Sequence, residues 1–179
     1  MDFEHGKIYT RNDIHGMYNQ GKPIPSVGTG NWTSGYVEPK GSDELIIFMT
    51  IGGPATTGHD YGDDYDSEKR LLIWHGKSRS SSSTKTFQRL FDKSLKPHFF
   101  ARWDKRDPFV YLGSGEIVNF KDGHPTKTQD GKDTTCIRTF VKIDDIENYI
   151  PNVEIEIPDD ETKKDNESES KPSLQADEQ

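Results

Sequence analysis

Apolar residues in this chain fall into short runs that are separated by glycine, proline and polar residues. Each run has the length of a β-strand and ends at turn-forming residues, and this combination predicts extended structure. Six strands are predicted in this way, at residues 45–49, 70–74, 98–103, 109–113, 116–120 and 137–143. In the last of them, Ile137, Phe140, Val141 and Ile143 are expected to form the buried side.

Two segments have helical periodicity instead. Apolar residues recur every three or four positions within residues 84–95, and Ile14, Met17 and Tyr18 share one face of a helix at residues 11–18. Short strands with one or two small helices predict a mainly β (α+β) domain, built as a small barrel or a strongly curved sheet.

The C-terminal end differs in composition from the rest of the chain. Only 30% of the residues are hydrophobic, and residues 158–179 contain one Leu, one Ala and no aromatic residue, with eight acids against three lysines. Such a segment cannot bury enough apolar surface to offset the entropy lost on ordering. We therefore expect a β-barrel domain at residues 1–157 and a disordered acidic tail at residues 158–179.

Charge is distributed unevenly along the predicted domain. The chain has a formal net charge of -8, but residues 69–106 contain eleven Lys and Arg against two acids. Residues 43–68, by contrast, contain seven acids and no Lys or Arg. A dense positive block beside apolar strands is what contact with phosphates requires. A solvated basic face paired with the acidic segment would produce the same pattern.

One segment inside the basic block combines cations with small hydroxyls. Residues 74–84 leave a strand that carries Trp74 and continue through Lys77, Ser78 and Arg79 into a run of serines. Cations and hydroxyls together satisfy phosphate oxygens, and Gly76 would let the backbone approach a sugar-phosphate chain. The alternative is a flexible serine linker.

Two long segments, residues 21–35 and 52–66, carry aromatic residues and exceed the length of ordinary connections. Aromatic side chains near a cationic groove could stack on an unpaired or extruded base, and a carboxylate could accept a hydrogen bond from its amino group. The residues predicted to form such a base pocket are Trp32, Tyr61, Asp63, Asp64 and Tyr65. The alternative for the aromatic residues is that they close the core.

Catalysis has weaker support in the sequence. Asp130-Gly131-Lys132, with Glu116 or Asp122 upstream, matches the Asp-x-Lys pattern of metal-dependent nucleases, and this leaves an endonuclease as an alternative. The six histidines are scattered, and the acids at residues 59–66 lack the spacing of a calcium loop, so no metal or other cofactor is expected. Cys136 is the sole cysteine, and no leader or long apolar run is present, so a cytoplasmic location without a membrane partner is expected.

Several short segments resemble one kind of module. The chain is similar to the DNA-reading accessory module of modification-dependent bacterial restriction endonucleases and of some helicase-nucleases, over about residues 6–122. The segments that carry the resemblance are Tyr9-Thr10-Arg11-Asn12-Asp13-Ile14-His15, Glu44-Leu45-Ile46-Ile47-Phe48, Tyr61-Gly62-Asp63-Asp64-Tyr65, Leu72-Ile73-Trp74-His75-Gly76 and Tyr111-Leu112-Gly113-Ser114-Gly115. The resemblance implies a PUA-like or SET- and RING-associated-like β-barrel that reads DNA, including a modified base.

Taken together, these features predict a non-enzymatic DNA-binding module of a bacterial restriction or defence system. Its partners would be DNA and a separate nuclease or helicase subunit. The residues predicted to contact DNA are Arg11, Trp74, Lys77, Ser78, Arg79, Thr84, Lys85 and Arg89. Apart from the endonuclease, the remaining alternative is a protein-interaction domain that uses its acidic tail.

Overall fold

The structure is a computed structural model, and it describes residues 1–26, 30–52 and 62–150. Two α-helices lie in this part, α1 (Arg11–Tyr18) and α2 (Lys85–Phe91). The strands are β1 (Ile8–Tyr9), β2 (Tyr36–Val37), β3 (Glu44–Thr50), β4 (Asp64–Asp66), β5 (Leu71–His75), β6 (Lys96–Arg102), β7 (Phe109–Gly113), β8 (Glu116–Lys127) and β9 (Asp133–Lys142). Short 3-10 helices occur at Gly30–Thr33 and Ile146–Asn148.

The strands form two sheets. The five-stranded sheet has the order β1-β7-β6-β3-β2, and the four-stranded sheet has the order β4-β5-β9-β8. The predicted fold class, mainly β with two short helices, is confirmed. In the described residues the strands remain two sheets and do not close into one barrel.

The five-stranded sheet is the centre of the core. Its strand β3 is buried from Leu45 to Thr50, because both of its faces are covered. On one face, Phe48 and Phe100 pack with the N-terminal segment, where Phe3 meets the Phe100 ring at 5.0 Å. On the other face, the Phe99 ring lies 5.6 Å from Trp74 of the four-stranded sheet.

Both predicted helices form, and local chemistry explains where they begin and end. The Thr10 hydroxyl accepts a hydrogen bond from the Asp13 amide at 3.0 Å, and the Asp13 carboxylate accepts one from the Thr10 amide at 2.9 Å. This capping box starts α1 at the predicted residue. Helix α2 is shorter than the predicted 84–95, because the chain reverses at Lys93 (φ 66°) and enters β6 at Lys96.

The hairpin of β8 and β9 is much longer than the sequence predicts. The predicted strands 116–120 and 137–143 miss the half of the hairpin at residues 121–127 and 133–136. That half is polar on both sides, so it lacks an apolar alternation. It is held by backbone pairing, such as Pro125 opposite Thr135, and it turns where Gly131 adopts a φ of 86°.

The two faces of the four-stranded sheet differ. Ile137 and Val141 point into the core, whereas Phe140 lies half-exposed on the opposite side. The expectation that Phe140 belongs to the buried side is therefore wrong, because side chains alternate strictly along a strand. We call the side that carries Ile73, His75, Arg138 and Phe140 the outer face. No helix in the described residues is long and apolar enough to cross a membrane.

Candidate nucleic-acid interface

The segment that follows β5 runs beside the hairpin of β8 and β9. The Gly76 amide donates to the Ile137 carbonyl at 2.9 Å, and the Arg79 amide donates to the Thr135 carbonyl at 2.8 Å. The Ser78 hydroxyl donates to the carbonyl of Lys127 at 2.9 Å. These hydrogen bonds hold the segment against the hairpin and are not those of a flexible linker.

Glycine is needed at position 76 because of this close approach. A Cβ atom there would lie 2.3 Å from the Ser80 Oγ and 2.8 Å from Ile137. Ser80 is itself buried, and its Oγ accepts a hydrogen bond from the Ile137 amide at 3.3 Å. The backbone of residues 76–80 is thus packed closely against β9.

Further along, the serine run is anchored to the middle of β8. The Ser82 amide and hydroxyl donate to the two carboxylate oxygens of Asp122, at 2.8 and 2.5 Å. The Thr84 hydroxyl accepts from the Ser81 amide at 2.9 Å just before α2 begins. Arg79 and Lys85 are left exposed at the surface. Of the predicted DNA contacts, Ser78, Arg79, Thr84 and Lys85 therefore follow one path beside the hairpin.

Two further predicted DNA contacts are engaged within the fold: Trp74 is buried, and Arg11 is half-buried. Trp74 is 1% exposed and packs between Phe87 and Phe99. The Arg11 guanidinium donates to the carbonyls of Trp32 and Ser34 at 3.0 and 2.9 Å. Burial and the neighbouring Arg102 lower the pKa of Arg11 to about 10. We leave both residues out of the interface proposed below.

Lys77 and Arg89, the last two predicted DNA contacts, bind other groups of the protein. The Lys77 Nζ donates to the carbonyl of Tyr36 at 3.0 Å, and burial lowers the pKa of this amine. The Arg89 guanidinium pairs with the carboxylates of Glu38 and Asp43 at the surface. Exposed ion pairs of this kind contribute little to stability.

The predicted base-pocket residues are not brought together. Trp32 packs beside α1, with its ring 4.9 Å from His15 and 6.3 Å from Tyr18. Asp64 and Tyr65 lie on β4, the edge strand of the four-stranded sheet, and within the described residues neither contacts Trp32. Tyr61 lies outside the described residues. Trp32 fits the alternative of an aromatic residue that closes the core.

Asp63 has a partner that the sequence did not suggest. Its carboxylate accepts hydrogen bonds from the backbone amide and the Nδ1 of His75, both at 3.0 Å. The His75 ring stacks 4.6 Å from His124, and burial together with His75 lowers the pKa of His124. The buried His75 Nε2 has no hydrogen-bond partner among the described residues. The only signal of this pair in the sequence is that His75 directly follows the predicted strand 70–74.

Three basic side chains cross the outer face in one row. Arg138 of β9 is the direct partner of His75 on β5 and of Lys121 on β8. Directly opposed residues of antiparallel strands point to the same side, and like charges placed there repel each other. No ion pair to Lys121 or Arg138 is found within the described ranges, and the buried Arg138 Nε lacks a hydrogen-bond partner there. Sequence reasoning missed this pair, because it ended the predicted strand at residue 120.

The residues of the endonuclease alternative are spread along the hairpin. Glu116 pairs with Lys93 at its base, at 3.2 Å, and Asp122 holds Ser82 at its middle. Asp130 lies in the turn at its tip, with its carboxylate 3.8 Å from the Lys132 amine. A strand rises about 3.3 Å per residue, so Glu116 and Asp130 lie roughly 35 Å apart. Glu116 is therefore too far from Asp130 and Lys132 to form one nuclease site with them.

Cys136 and possible metal ligands are the remaining groups that could support catalysis. Burial, reinforced by the carboxylate of Asp63, raises the pKa of Cys136 to about 11, so its sulfur is a neutral thiol at pH 7. In residues 1–26, 30–52 and 62–150, no three His, Cys, Asp or Glu side chains are placed to hold a metal ion.

Comparison with known proteins gives one family match. The family model described as "Domain of unknown function (DUF3427)" matches residues 3–150. No curated protein matches the chain. Among solved structures, the SRA domain of SUVH5 in complex with methylated CHH DNA is similar, with 16% identity and a TM-score of 0.43. The match covers 78% of this chain and 88% of that chain. A likeness this remote identifies neither a site nor a ligand.

Proposed function

This chain belongs to the family described as DUF3427, and we propose that it is a DNA-binding domain. The proposed interface is the outer face of the four-stranded sheet, the hairpin of β8 and β9, and the neighbouring segment 76–85. The observation that carries the proposal is the cross-strand pair of Lys121 and Arg138.

An anion between these two cations would remove their repulsion. Phosphodiester groups are such anions, and Arg and Lys bind them through charge-assisted hydrogen bonds. Arg79 is a further exposed cation, on the segment that hydrogen-bonds to β9. The far half of the hairpin adds Lys127 and Lys132, whose ion pairs with Asp133 and Asp130 are exposed at the surface.

The form of the hairpin also suits DNA. A two-stranded β-ribbon fits the major groove of B-DNA, which is about 12 Å wide. Strand β8 is exposed over most of its twelve residues, and its far half has β9 as its strand partner, with hydrogen bonds from Ser78 and Ser82 to Lys127 and Asp122. A ribbon of this kind can lie along the groove while Arg79 and Lys85 reach the phosphates at its side.

We extend this proposal to base reading by a module of a bacterial restriction or defence system that works with a separate nuclease or helicase. The resemblance of the segments quoted above supports this extension. The Nδ1 of His75 is held by Asp63, and its Nε2 has no hydrogen-bond partner among the described residues but is buried, so a base could reach it only if this position were uncovered on binding. Asp63 would then act by orienting His75, and not by direct contact with a base.

The DNA interface is tested with the double variant Lys121→Gln/Arg138→Gln. Binding of a 30-base-pair duplex is measured by fluorescence anisotropy at several salt concentrations. We expect the affinity to fall by at least tenfold and the slope of log K against log salt to flatten by about two, one per lost phosphate contact. The matched control is Lys40→Gln/Lys105→Gln, which removes two exposed lysines outside the four-stranded sheet.

Equal losses in both double variants would show that only net charge matters, and would refute the proposed interface. An unchanged affinity in Lys121→Gln/Arg138→Gln would refute it as well. Duplexes with plain, methylated and hydroxymethylated cytosine test base reading separately. Equal binding to all three by the wild-type chain would refute the extension to those cytosine modifications and leave a plain DNA-binding domain.

A further inference from the structure

Two histidine rings stack on the outer face, next to the cations of the proposed DNA interface. The rings of His75 and His124 lie 4.6 Å apart. We propose that His124 takes up a proton when DNA binds, so that the affinity for DNA rises as the pH falls. This inference rests on the proposed function, because the anion that would favour the proton is a phosphodiester group of the DNA.

A β-bulge places His124 on the same face as the cationic pair. Lys121 is opposite Arg138. Three residues further along β8, His124 is opposite Cys136, which is only two residues from Arg138. Residues three apart on a regular strand point to opposite sides, whereas the extra residue of a bulge returns them to the same side. Gly123 lies in this bulge with a φ of 78°, and the two cross-strand pairs are roughly 7 Å apart along β9.

The groups around His124 disfavour a proton on it before DNA binds. Within the described residues, the charged or titratable groups on this face are His75 with its partner Asp63, Cys136 and Arg138 on β9, and Lys121 on β8. Burial, His75 and Arg138 all lower the pKa of His124. The Asp63 carboxylate accepts from the His75 amide and Nδ1, and the Cys136 thiol is neutral at pH 7. A proton on His124 would therefore add a third positive charge beside Lys121 and Arg138.

A bound phosphodiester reverses this balance. An opposite charge within about 4–6 Å favours the charged form of a titratable group, so a phosphate held by Lys121 and Arg138 raises the pKa of the half-buried His124. The complex then holds more protons than the free protein, and by linkage the affinity rises as the pH falls through the pKa of the complex. It levels off below the pKa of the free protein, because His124 is then charged in both states.

The pH dependence of duplex binding tests this inference on the full chain. Affinity is measured by fluorescence anisotropy from pH 8 to pH 5.5 at constant ionic strength, and a thermal melt at each pH checks that the chain is folded. Coupling to one proton changes log K by at most one per pH unit, so we expect the affinity to rise by about tenfold over this range. His124→Gln cannot take up the proton and should lose most of this rise. The matched control His5→Gln removes an exposed histidine outside the four-stranded sheet and should keep it.

Isothermal titration calorimetry measures the proton uptake directly. Heats of duplex binding at pH 6.5, in two buffers of different ionisation enthalpy, should show net proton uptake by the wild-type chain and by His5→Gln, and far less by His124→Gln. Duplex binding without proton uptake, or a rise in affinity that survives in His124→Gln, would overturn this inference and leave the proposed DNA interface intact. Absence of duplex binding at every pH would refute the proposed function, and this inference with it.

Discussion

The two sheets of this domain use opposite chemistry. The five-stranded sheet contains a strand, β3, that is buried along nearly all its length, and its core packs aromatic rings such as Phe3, Phe48 and Phe100 against one another. The four-stranded sheet turns one face to the core, and its outer face carries the buried His75, the half-buried Arg138 and the exposed Lys121 in one row. The first sheet thus holds most of the buried core, while the second places the like charges of Lys121 and Arg138 opposite each other on its outer face.

The largest effect on stability is expected from a substitution that leaves a cavity in the core of the five-stranded sheet. Phe100 is 0% exposed and contacts Phe3, Tyr9 and Tyr111, so Phe100→Ala should lower the free energy of unfolding by about 3–5 kcal/mol. Phe140→Ala removes the same ring from the half-exposed outer face and should cost much less. Urea denaturation measures both losses. Equal losses of unfolding free energy in the two variants would refute the view that the five-stranded sheet contributes more to stability.

A second effect concerns the pH dependence of the five-stranded sheet. Burial lowers the pKa of His98 to about 4, so the unfolded chain binds this proton more readily than the folded one. Stability should therefore be complete above about pH 6.5 and fall as the pH drops towards 4, by at most about 3 kcal/mol. His98→Gln should remove most of this dependence, whereas the exposed His5→Gln should retain it, in denaturant melts from pH 7 to 4. A slope that survives in His98→Gln would contradict the assignment.

Within the four-stranded sheet, Asp63 is expected to matter more than its neighbour Asp64. Asp63→Ala leaves the His75 amide and Nδ1 without their acceptor, and this should cost about 1–3 kcal/mol. Asp64 is exposed, and within the described part of the chain it accepts a hydrogen bond from the adjacent Tyr65 amide alone, so Asp64→Ala should change the unfolding free energy by less than about 0.5 kcal/mol. Thermal melts of the two variants compare them directly, and similar shifts would show that the pairing with His75 is not structural.

A smaller effect of opposite sign is expected on the outer face. Lys121→Gln removes a like-charge pair with Arg138, and it should raise the free energy of unfolding by about 0.2–1 kcal/mol while DNA binding weakens. Lys142→Gln, on the same hairpin but opposite Glu116, is the matched control and should give no gain. A loss of stability in Lys121→Gln would show that the two cations do not repel each other in the folded protein.

The smallest effect is expected from removing the tail. A chain that ends at Ile157 lacks the segment that is poor in apolar residues, so both sheets should keep their packing and the melting temperature should stay within a few degrees. Calorimetry of the full and shortened chains tests this. A large drop would mean that residues 158–179 contribute to the stability of the domain.

Apolar patterning predicted the buried elements well and the polar ones poorly. The strand at 109–113 and the helix at 11–18 were predicted with the observed bounds, because their apolar residues and the Thr10 capping box are local signals. The far half of the β8–β9 hairpin was missed, since cross-strand hydrogen bonds hold it and no apolar period marks it. In the candidate site, residues 74–84 with Lys85 and Arg89 were predicted to contact DNA, but the packing of this segment against the hairpin and the burial of Trp74 were not predicted.

What the sequence by itself determined is the mainly β class, the basic block and the contrast between apolar runs and the C-terminal segment. These follow from side-chain chemistry and from periods of two or three to four residues, which are local properties. Only the tertiary structure decided that Trp74 is buried and Arg11 half-buried, that Asp63 holds His75, and that Lys121 faces Arg138. Strand register sets these relations, and register depends on how the hydrophobic patterns and turns of strands far apart in the chain fit together, which no local period specifies.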